Sequence, residues 1–108
     1  MADQLTRDFR ESIHDDLQRT PKLRQAMLIE TLNCFLNGDD ETGRSLVRNY
    51  IRADLGYKAL AEKTNIHEKS LVRMFGPNGN PTLENAICVL TAISKKEGIK
   101  LKVIAEPV

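Results

Sequence analysis

Charged side chains stand at helical spacing near the middle of the chain, where they could exchange hydrogen bonds with a nucleic acid. Glu68, Lys69 and Arg73 fall on one side of a short helical pattern. Arg73 can donate a bidentate pair of hydrogen bonds to guanine, and Lys69 can reach guanine or a phosphate. Glu68 can accept a hydrogen bond from cytosine. This combination favours the reading of base edges in the major groove of duplex DNA.

Further candidate contacts surround this group. Lys58, near the start of the preceding helical pattern, is placed for a phosphate, as is the hydroxyl of Tyr57. Val72 could contact a thymine methyl group. The complete predicted set of DNA-binding residues is Tyr57, Lys58, His67, Glu68, Lys69, Ser70, Arg73, Asn80 and Thr82.

Two short helices around a turn at Asn65 would position these side chains. Asn tolerates the left-handed backbone conformation that such a turn needs. The small side chain of Ala61 permits the close, steep crossing of two helices in a helix-turn-helix. The residues expected to face inward are Ala59, Leu60, Ala61 and Thr64 of the first helix, Ile66 of the turn, and Leu71, Met74 and Phe75 of the second.

These residues resemble the helix-turn-helix of the Cro and phage-repressor type (Xre-like). The segment Gly79–Ile93, GNPTLENAICVLTAI, together with SLVRMF, is similar to addiction-module antidote proteins of the HigA-like group and to their stand-alone regulator relatives. The resemblance covers roughly residues 35–103. Asn65 stands where the family usually has glycine, and His67 stands where it usually has a small capping hydroxyl.

The resemblance implies an all-α, repressor-like domain of five to six helices. In such proteins the helix that follows the loop begins beside the DNA backbone, so Asn80 and Thr82 become candidates for phosphate contacts as well as turn and cap residues. The antidote branch implies a different main task, the neutralisation of a RelE-like toxin ribonuclease, alongside repression of its own promoter. The long extension before Phe35 favours a stand-alone regulator over an antitoxin.

Composition fits one small domain and argues against binding by charge alone. The chain has 108 residues, 41% of them hydrophobic, and a net charge of +1. Residues 1–54 carry 8 basic and 10 acidic side chains, whereas residues 55–108 carry 8 and 5. The net charge therefore changes from −2 in the first half to +3 in the second, which favours an anionic partner on the C-terminal half. Because the total charge is low, two copies of the chain are expected to bind two DNA half-sites together.

Other function classes find little support in the sequence. Cys34 and Cys88 lie in apolar helical surroundings and are interpreted as reduced, buried residues, and His14 and His67 lack companions at ligand spacing. No phosphate-binding glycine loop or catalytic constellation is found, so neither enzyme activity nor a cofactor is predicted.

Aromatic residues are 5% of the chain, which disfavours a stacking platform for RNA. The charged N-terminus carries no signal peptide or membrane span, and the expected location is cytoplasmic.

The chain divides into an N-terminal helical extension (1–38), a helix-turn-helix core (39–97) and a C-terminal strand and tail (98–108). Helices are predicted over about 3–19 and over 22–37. The first has the apolar stripe Leu5, Phe9, Ile13 and Leu17, and the second has the apolar positions Leu23, Met27, Leu28, Leu32, Phe35 and Leu36. These two helices are interpreted as core builders, or alternatively as a docking surface for a partner protein. A third helix follows a cap at Asp39 or Asp40. A last helix covers 83–97, ends at Gly98 and has the stripe Leu83, Ala86, Ile87, Leu90 and Ile93. Arg44, Arg48 and Arg52 form a stripe interpreted as solvated and acid-paired, with phosphate contact as the alternative.

Alternation over the last residues predicts the one β-strand of the chain. In the segment IKLKVIAE (99–106), apolar Ile99, Leu101, Val103 and Ala105 alternate with Lys100, Lys102 and Glu106. A lone strand leaves backbone donors and acceptors unpaired, so it is expected to pair with a second copy across a twofold dimer axis. The alternative for this segment is a disordered tail.

Overall fold

The computed structural model describes residues 20–108, and every regular element within this range is a helix. The helices are α1 (Pro21–Leu36), α2 (Asp40–Tyr50), α3 (Tyr57–Thr64), α4 (Glu68–Met74) and α5 (Leu83–Glu97). A π-helical turn, Ile51–Leu55, continues α2. The predicted helix over 3–19 lies outside the described residues. The predicted helices over 22–37 and 83–97, and the short pair around Asn65, are confirmed.

Local sequence signals set where these helices begin and end. Pro21 occupies the first turn of α1, where a missing N–H costs nothing. The Asp39 carboxylate accepts a hydrogen bond from the Thr42 N–H at 3.3 Å, which caps α2 as predicted. Gly98 ends α5 with φ of 71°, a conformation that glycine adopts without steric cost.

The core lies where α1, α2, α3 and α5 meet, and α4 closes one side of it. Helix α1 packs against α2 and α5, and α3 packs against α4 and α5. Residues contributed by all five helices and the π-helical turn are fully or almost fully buried: Leu28, Val47, Tyr50, Ile51, Leu60, Leu71, Phe75, Val89 and Ile93. The short helices α3 and α4 are therefore fixed to the rest of the chain by shared apolar packing.

A close approach of α1 and α2 depends on Gly43. A Cβ atom at this position would lie 2.4 Å from the ring of Phe35. We expect Gly43→Ala to lower the free energy of unfolding by about 1 kcal/mol, because overpacking outweighs the gain in helix propensity. Urea denaturation measures the change. Phe35→Leu removes the clashing ring atoms. The variant that combines Gly43→Ala with Phe35→Leu is therefore expected to lose less unfolding free energy than the sum of the losses in the two single variants. Strict additivity would contradict the proposed clash.

Buried ionic groups join α1 to α2 and α5. Glu97, whose side chain is 3% exposed, accepts a hydrogen bond from Arg24 Nε at 2.9 Å and another from the Tyr50 hydroxyl. Lys96 lies 3.2 Å from the same carboxylate and also pairs with Asp54. Burial would raise the pKa of Glu97, but the hydrogen bonds from Tyr50, Arg24 and Lys96 together lower it. The ionised form of Glu97 is thus part of the folded structure.

The predicted apolar stripes are wrong at one end of the molecule. Periodicity assigned Leu36, Leu83 and Ile87 to the core, yet they are 63%, 79% and 48% exposed. The buried side of α5 is formed by Val89, Leu90 and Ile93. A stripe of apolar residues determines which side of a helix is hydrophobic. The neighbouring helices determine how much of the length of that side they cover, and residues beyond them remain exposed.

The predicted C-terminal strand is not formed within the chain. Residues 99–108 form neither helix nor strand, and no strand is present anywhere within residues 20–108. Ile99 and Leu101 pack partly against the core, whereas Val103 is 73% exposed. A strand needs a neighbouring backbone for its ladder of hydrogen bonds, and the helical remainder of the described chain offers none.

Candidate nucleic-acid interface

The turn between α3 and α4 has the predicted geometry. Asn65 has φ of 58° and ψ of 22°, the left-handed conformation, and its N–H donates to the Ala61 carbonyl at 2.9 Å. The Thr64 hydroxyl donates to the Leu60 carbonyl at 2.8 Å and accepts from the Ile66 N–H at 3.3 Å. One hydroxyl thus connects the end of α3 to the start of the turn, a role that the sequence analysis did not assign to Thr64.

Helix α4 separates its apolar and polar residues as predicted. Leu71 and Met74 are buried, Phe75 is 1% exposed just after the helix, and Ile66 is partly buried against the same core. On the other side, the exposed residues are His67, Glu68, Lys69, Val72 and Arg73, and Ser70 is half-buried. The three charged residues that could read base edges therefore all reach solvent.

A cleft brings the second half of α4 next to the start of α5. Ser70 and Arg73 line it on one side, and Asn80 and Thr82 line it on the other, around a volume of about 300 Å³. The Thr82 hydroxyl accepts from the Asn85 N–H at 3.1 Å, which caps α5 and leaves the O–H free to donate elsewhere. Glu84 in the first turn of α5 adds a negative charge here and weakens the attraction of this helix end for phosphate.

His67 has a structural contact that limits its predicted role. Its Nδ1 accepts a hydrogen bond from the Lys69 N–H at 3.2 Å, so the imidazole serves as the cap of α4. This hydrogen bond requires Nδ1 without a proton. A contact from His67 to DNA would therefore use Nε2, while Nδ1 holds the first turn of the helix.

Tyr57 does not present its hydroxyl as the sequence analysis expected. The hydroxyl oxygen is buried and has no hydrogen-bond partner among the described residues. Burial raises its pKa, although Arg52 and Arg48 act in the opposite direction. A buried hydroxyl does not reach a phosphate from this conformation, and the phosphate contact of Tyr57 stays a prediction. Lys58, beside it, is exposed.

Arg48 holds the end of α4, a role that the sequence analysis missed. Its Nη1 donates to the Phe75 carbonyl at 2.9 Å, and its Nη2 lies 3.5 Å from the Ser45 hydroxyl. The last carbonyls of a helix lack partners within it, and a cation there also interacts favourably with the helix dipole. The stripe formed by Arg44, Arg48 and Arg52 is therefore not a uniformly solvated, acid-paired surface. Arg48 and Phe75 are 27 residues apart in the sequence, so the spacing of the arginines within one helix carries no signal of this hydrogen bond.

The other predictions concern cysteines and membranes. Cys34 is buried and Cys88 is half-buried, and both are free thiols. Burial and the nearby carboxylates of Glu30 and Asp39 raise the pKa of Cys34, which disfavours its thiolate. None of the helices within residues 20–108 has the length and hydropathy needed to span a bilayer.

Comparison of the chain with protein-family models, with curated proteins and with solved structures finds no match.

Proposed function

We propose that this protein is a sequence-specific, DNA-binding transcriptional regulator that acts as a dimer. The observation that supports this most directly is the division of α4 into a buried apolar side and a solvent-facing side that carries Glu68, Lys69 and Arg73. The left-handed turn at Asn65 and the packing of α3 against α4 give this pair the character of a helix-turn-helix. In this proposal α4 is the helix that enters the major groove.

The cleft beside α4 supplies a second element of the proposed interface. Arg73 would read guanine from the groove, while Asn80 and the hydroxyl of Thr82 would contact the adjacent phosphate backbone. Lys58, exposed at the start of α3, would contact another phosphate. Phosphate contacts fix the position of a protein on the duplex, and base contacts provide the sequence preference.

Pairing of two chains completes the proposal. The net charge of +1 provides little general attraction to DNA, so affinity would come from two half-sites about 34 Å apart. The segment over 99–108 provides a means of pairing, because its backbone has no strand partner within the described chain and Val103 and Ile104 are exposed. Antiparallel pairing of two such segments would satisfy these backbone groups.

The experiment begins with selection of bound duplexes from a random pool. We expect an enriched, near-palindromic site, and titrations of that site and of an unrelated duplex then separate the two kinds of contact. Arg73→Ala is expected to reduce discrimination between the duplexes by about 1–3 kcal/mol. Lys58→Ala is expected to weaken binding to both duplexes equally and to lower the salt dependence by about one phosphate contact.

Lys95→Ala serves as the matched control, because Lys95 is an exposed lysine in the last turn of α5, distant in sequence from α4. It is expected to leave both affinities within experimental error. Failure to enrich any site would reject the proposal, and so would unchanged operator binding in both the Arg73→Ala and Lys58→Ala variants.

The second candidate function is that of an antitoxin for a RelE-like toxin, which the resemblance implies. The feature that favours it is helix α1, on which Leu23, Ile29 and Leu36 are 39%, 51% and 63% exposed. Exposed apolar residues on one helix are typical of a protein-binding surface. Co-purification of a small basic protein encoded beside this chain, lost on Ile29→Glu, would favour this candidate over a stand-alone regulator.

A further inference from the structure

An apolar groove lies between the end of α1, the start of α2 and the first half of α5. Its volume is about 360 Å³, within the range of small-ligand sites. Leu36, Leu83 and Ile87 at this groove are the residues that periodicity assigned to the core and that the folded chain leaves exposed. The groove is therefore hydrophobic surface that no part of the described chain covers.

One cation in this groove lacks a partner. Arg44 lines it, and the Nε–H of Arg44 is buried without a hydrogen-bond acceptor among the described residues. A charged group without a hydrogen-bond acceptor is unfavourable in partly buried surroundings, so an acceptor that pairs with this guanidinium would be stabilising. The other charged residue of the lining is Asp40, one helical turn before Arg44. Asp40 is exposed, and no hydrogen bond or ion pair between it and Arg44 is present.

We propose that this groove binds a small apolar carboxylate, with the carboxylate on Arg44 and the hydrocarbon body against Leu83 and Ile87. The Nε–H of Arg44 has almost no accessible surface, so the carboxylate would pair with the terminal N–H groups of this partly buried guanidinium. The surrounding leucine and isoleucine side chains offer hydrocarbon contact and no further hydrogen bonds. A ligand with one charged end and one apolar end satisfies both parts of the site.

The groove also shares a wall with the proposed DNA surface. Asn80 and Pro81 line this groove and also line the cleft beside α4. A bound carboxylate would therefore contact the same loop that carries the proposed phosphate contacts, which makes it a candidate effector. This link rests on the proposed function, whereas ligand binding itself does not.

The test uses octanoate and 1-octanol with the full chain in the absence of DNA. We expect octanoate to bind in isothermal titration calorimetry and to shift the Nε–H resonance of Arg44, and we expect 1-octanol to leave that resonance in place. Arg44→Met is expected to weaken octanoate binding about tenfold or more, because a charge-assisted hydrogen bond is lost. Arg52→Met, at an exposed arginine of the same stripe, is the matched control and should not change the affinity.

Two further variants test the site without removing its cation. Asp40→Asn removes the one negative charge of the lining and is expected to tighten octanoate binding about twofold to fivefold. Ile87→Trp fills the groove at a half-exposed position that tolerates a larger side chain, and it is expected to abolish binding. This variant keeps the test informative if Arg44→Met does not fold.

Several results would overturn the proposal. These are no octanoate binding at millimolar concentration, equal affinity in the Arg44→Met variant, or full binding in the Ile87→Trp variant. Sedimentation provides the remaining outcome: if Ile87→Trp converts a dimer into a monomer, the groove is an interface between two copies and not a ligand site. None of these measurements involves DNA, so failure here leaves the proposed DNA-binding function to its own experiment.

Discussion

Gly79→Ala is expected to lower the free energy of unfolding by about 3 kcal/mol. A Cβ atom at position 79 would lie 2.0 Å from the Met74 carbonyl oxygen and 2.8 Å from that of Arg73. Both atoms belong to the backbone of α4, so no side-chain rotation can relieve the contact. The loop would have to move away from the helix, and the hydrogen bond from the Gly79 N–H to the Gly76 carbonyl would be strained or lost. Thermal and urea denaturation measure the effect.

Gly76 provides the control in the same loop. A Cβ atom there would lie 3.4 Å from the Arg73 and Val72 carbonyl oxygens, which is close to ordinary van der Waals contact. Gly76→Ala is therefore expected to change stability by less than about 0.5 kcal/mol. Equal stability of the two variants would show that the close approach at Gly79 is not a constraint on the fold.

The same substitution tests the proposed interface, because Gly79 lies between α4 and the cap of α5. Displacement of the loop would change the position of Asn80 and Thr82 relative to Arg73 across the cleft. At a temperature where the Gly79→Ala variant remains folded, we expect its affinity for the selected operator to fall while Gly76→Ala keeps the affinity of the unchanged chain. Such a result would link the geometry of the loop to DNA binding separately from stability.

Glu97→Gln is expected to lower the free energy of unfolding by about 3 kcal/mol at neutral pH. The carboxylate is 3% exposed and accepts hydrogen bonds from Arg24, Lys96 and Tyr50. The neutral amide cannot compensate the two cations, and it places N–H donors where only acceptors fit. Glu62→Gln, at an exposed position of α3, is the control and should be close to neutral.

The loss of unfolding free energy caused by Glu97→Gln is expected to depend on pH. The pKa of Glu97 in the folded chain lies below its ordinary value of 4.5. Stability from this group is therefore complete above pH 4.5 and disappears as the pH falls through the lower, folded-state pKa. The difference in unfolding free energy between the unchanged chain and the Glu97→Gln variant should be constant near neutrality and shrink in acid. A difference that does not change with pH would contradict the assignment of an ionised, buried carboxylate.

Tyr50 adds an opposite trend at high pH. Its pKa is raised, first by burial and then by its hydrogen bond to Glu97. The neutral phenol is thus the stabilised form, and its contribution is present below the ordinary tyrosine pKa and is lost as the pH rises through the folded-state value. The hydrogen-bonded group formed by Tyr50 and Glu97 therefore favours folding over the broad range between these two ionisations.

The sequence by itself determined the local features of this protein. Asn65 adopts the left-handed conformation, and Asp39, Thr82 and Gly98 cap the helix ends where they were expected to do so. Leu71 and Met74 are buried as their spacing predicts. These features depend on residues within a few positions of one another, so backbone preference and helical periodicity are enough to predict them.

Contacts between distant parts of the chain were decided by tertiary structure alone. Arg48 binds the Phe75 carbonyl, Glu97 lies between Arg24 and Tyr50, and the Tyr57 hydroxyl is buried. The predicted strand over 99–106 does not form within the described chain, since alternation of side chains cannot supply the neighbouring backbone that a strand requires. Periodicity states which side of each helix is apolar. How the helices are arranged in space determines which apolar and charged residues are covered, and which remain free to bind a partner.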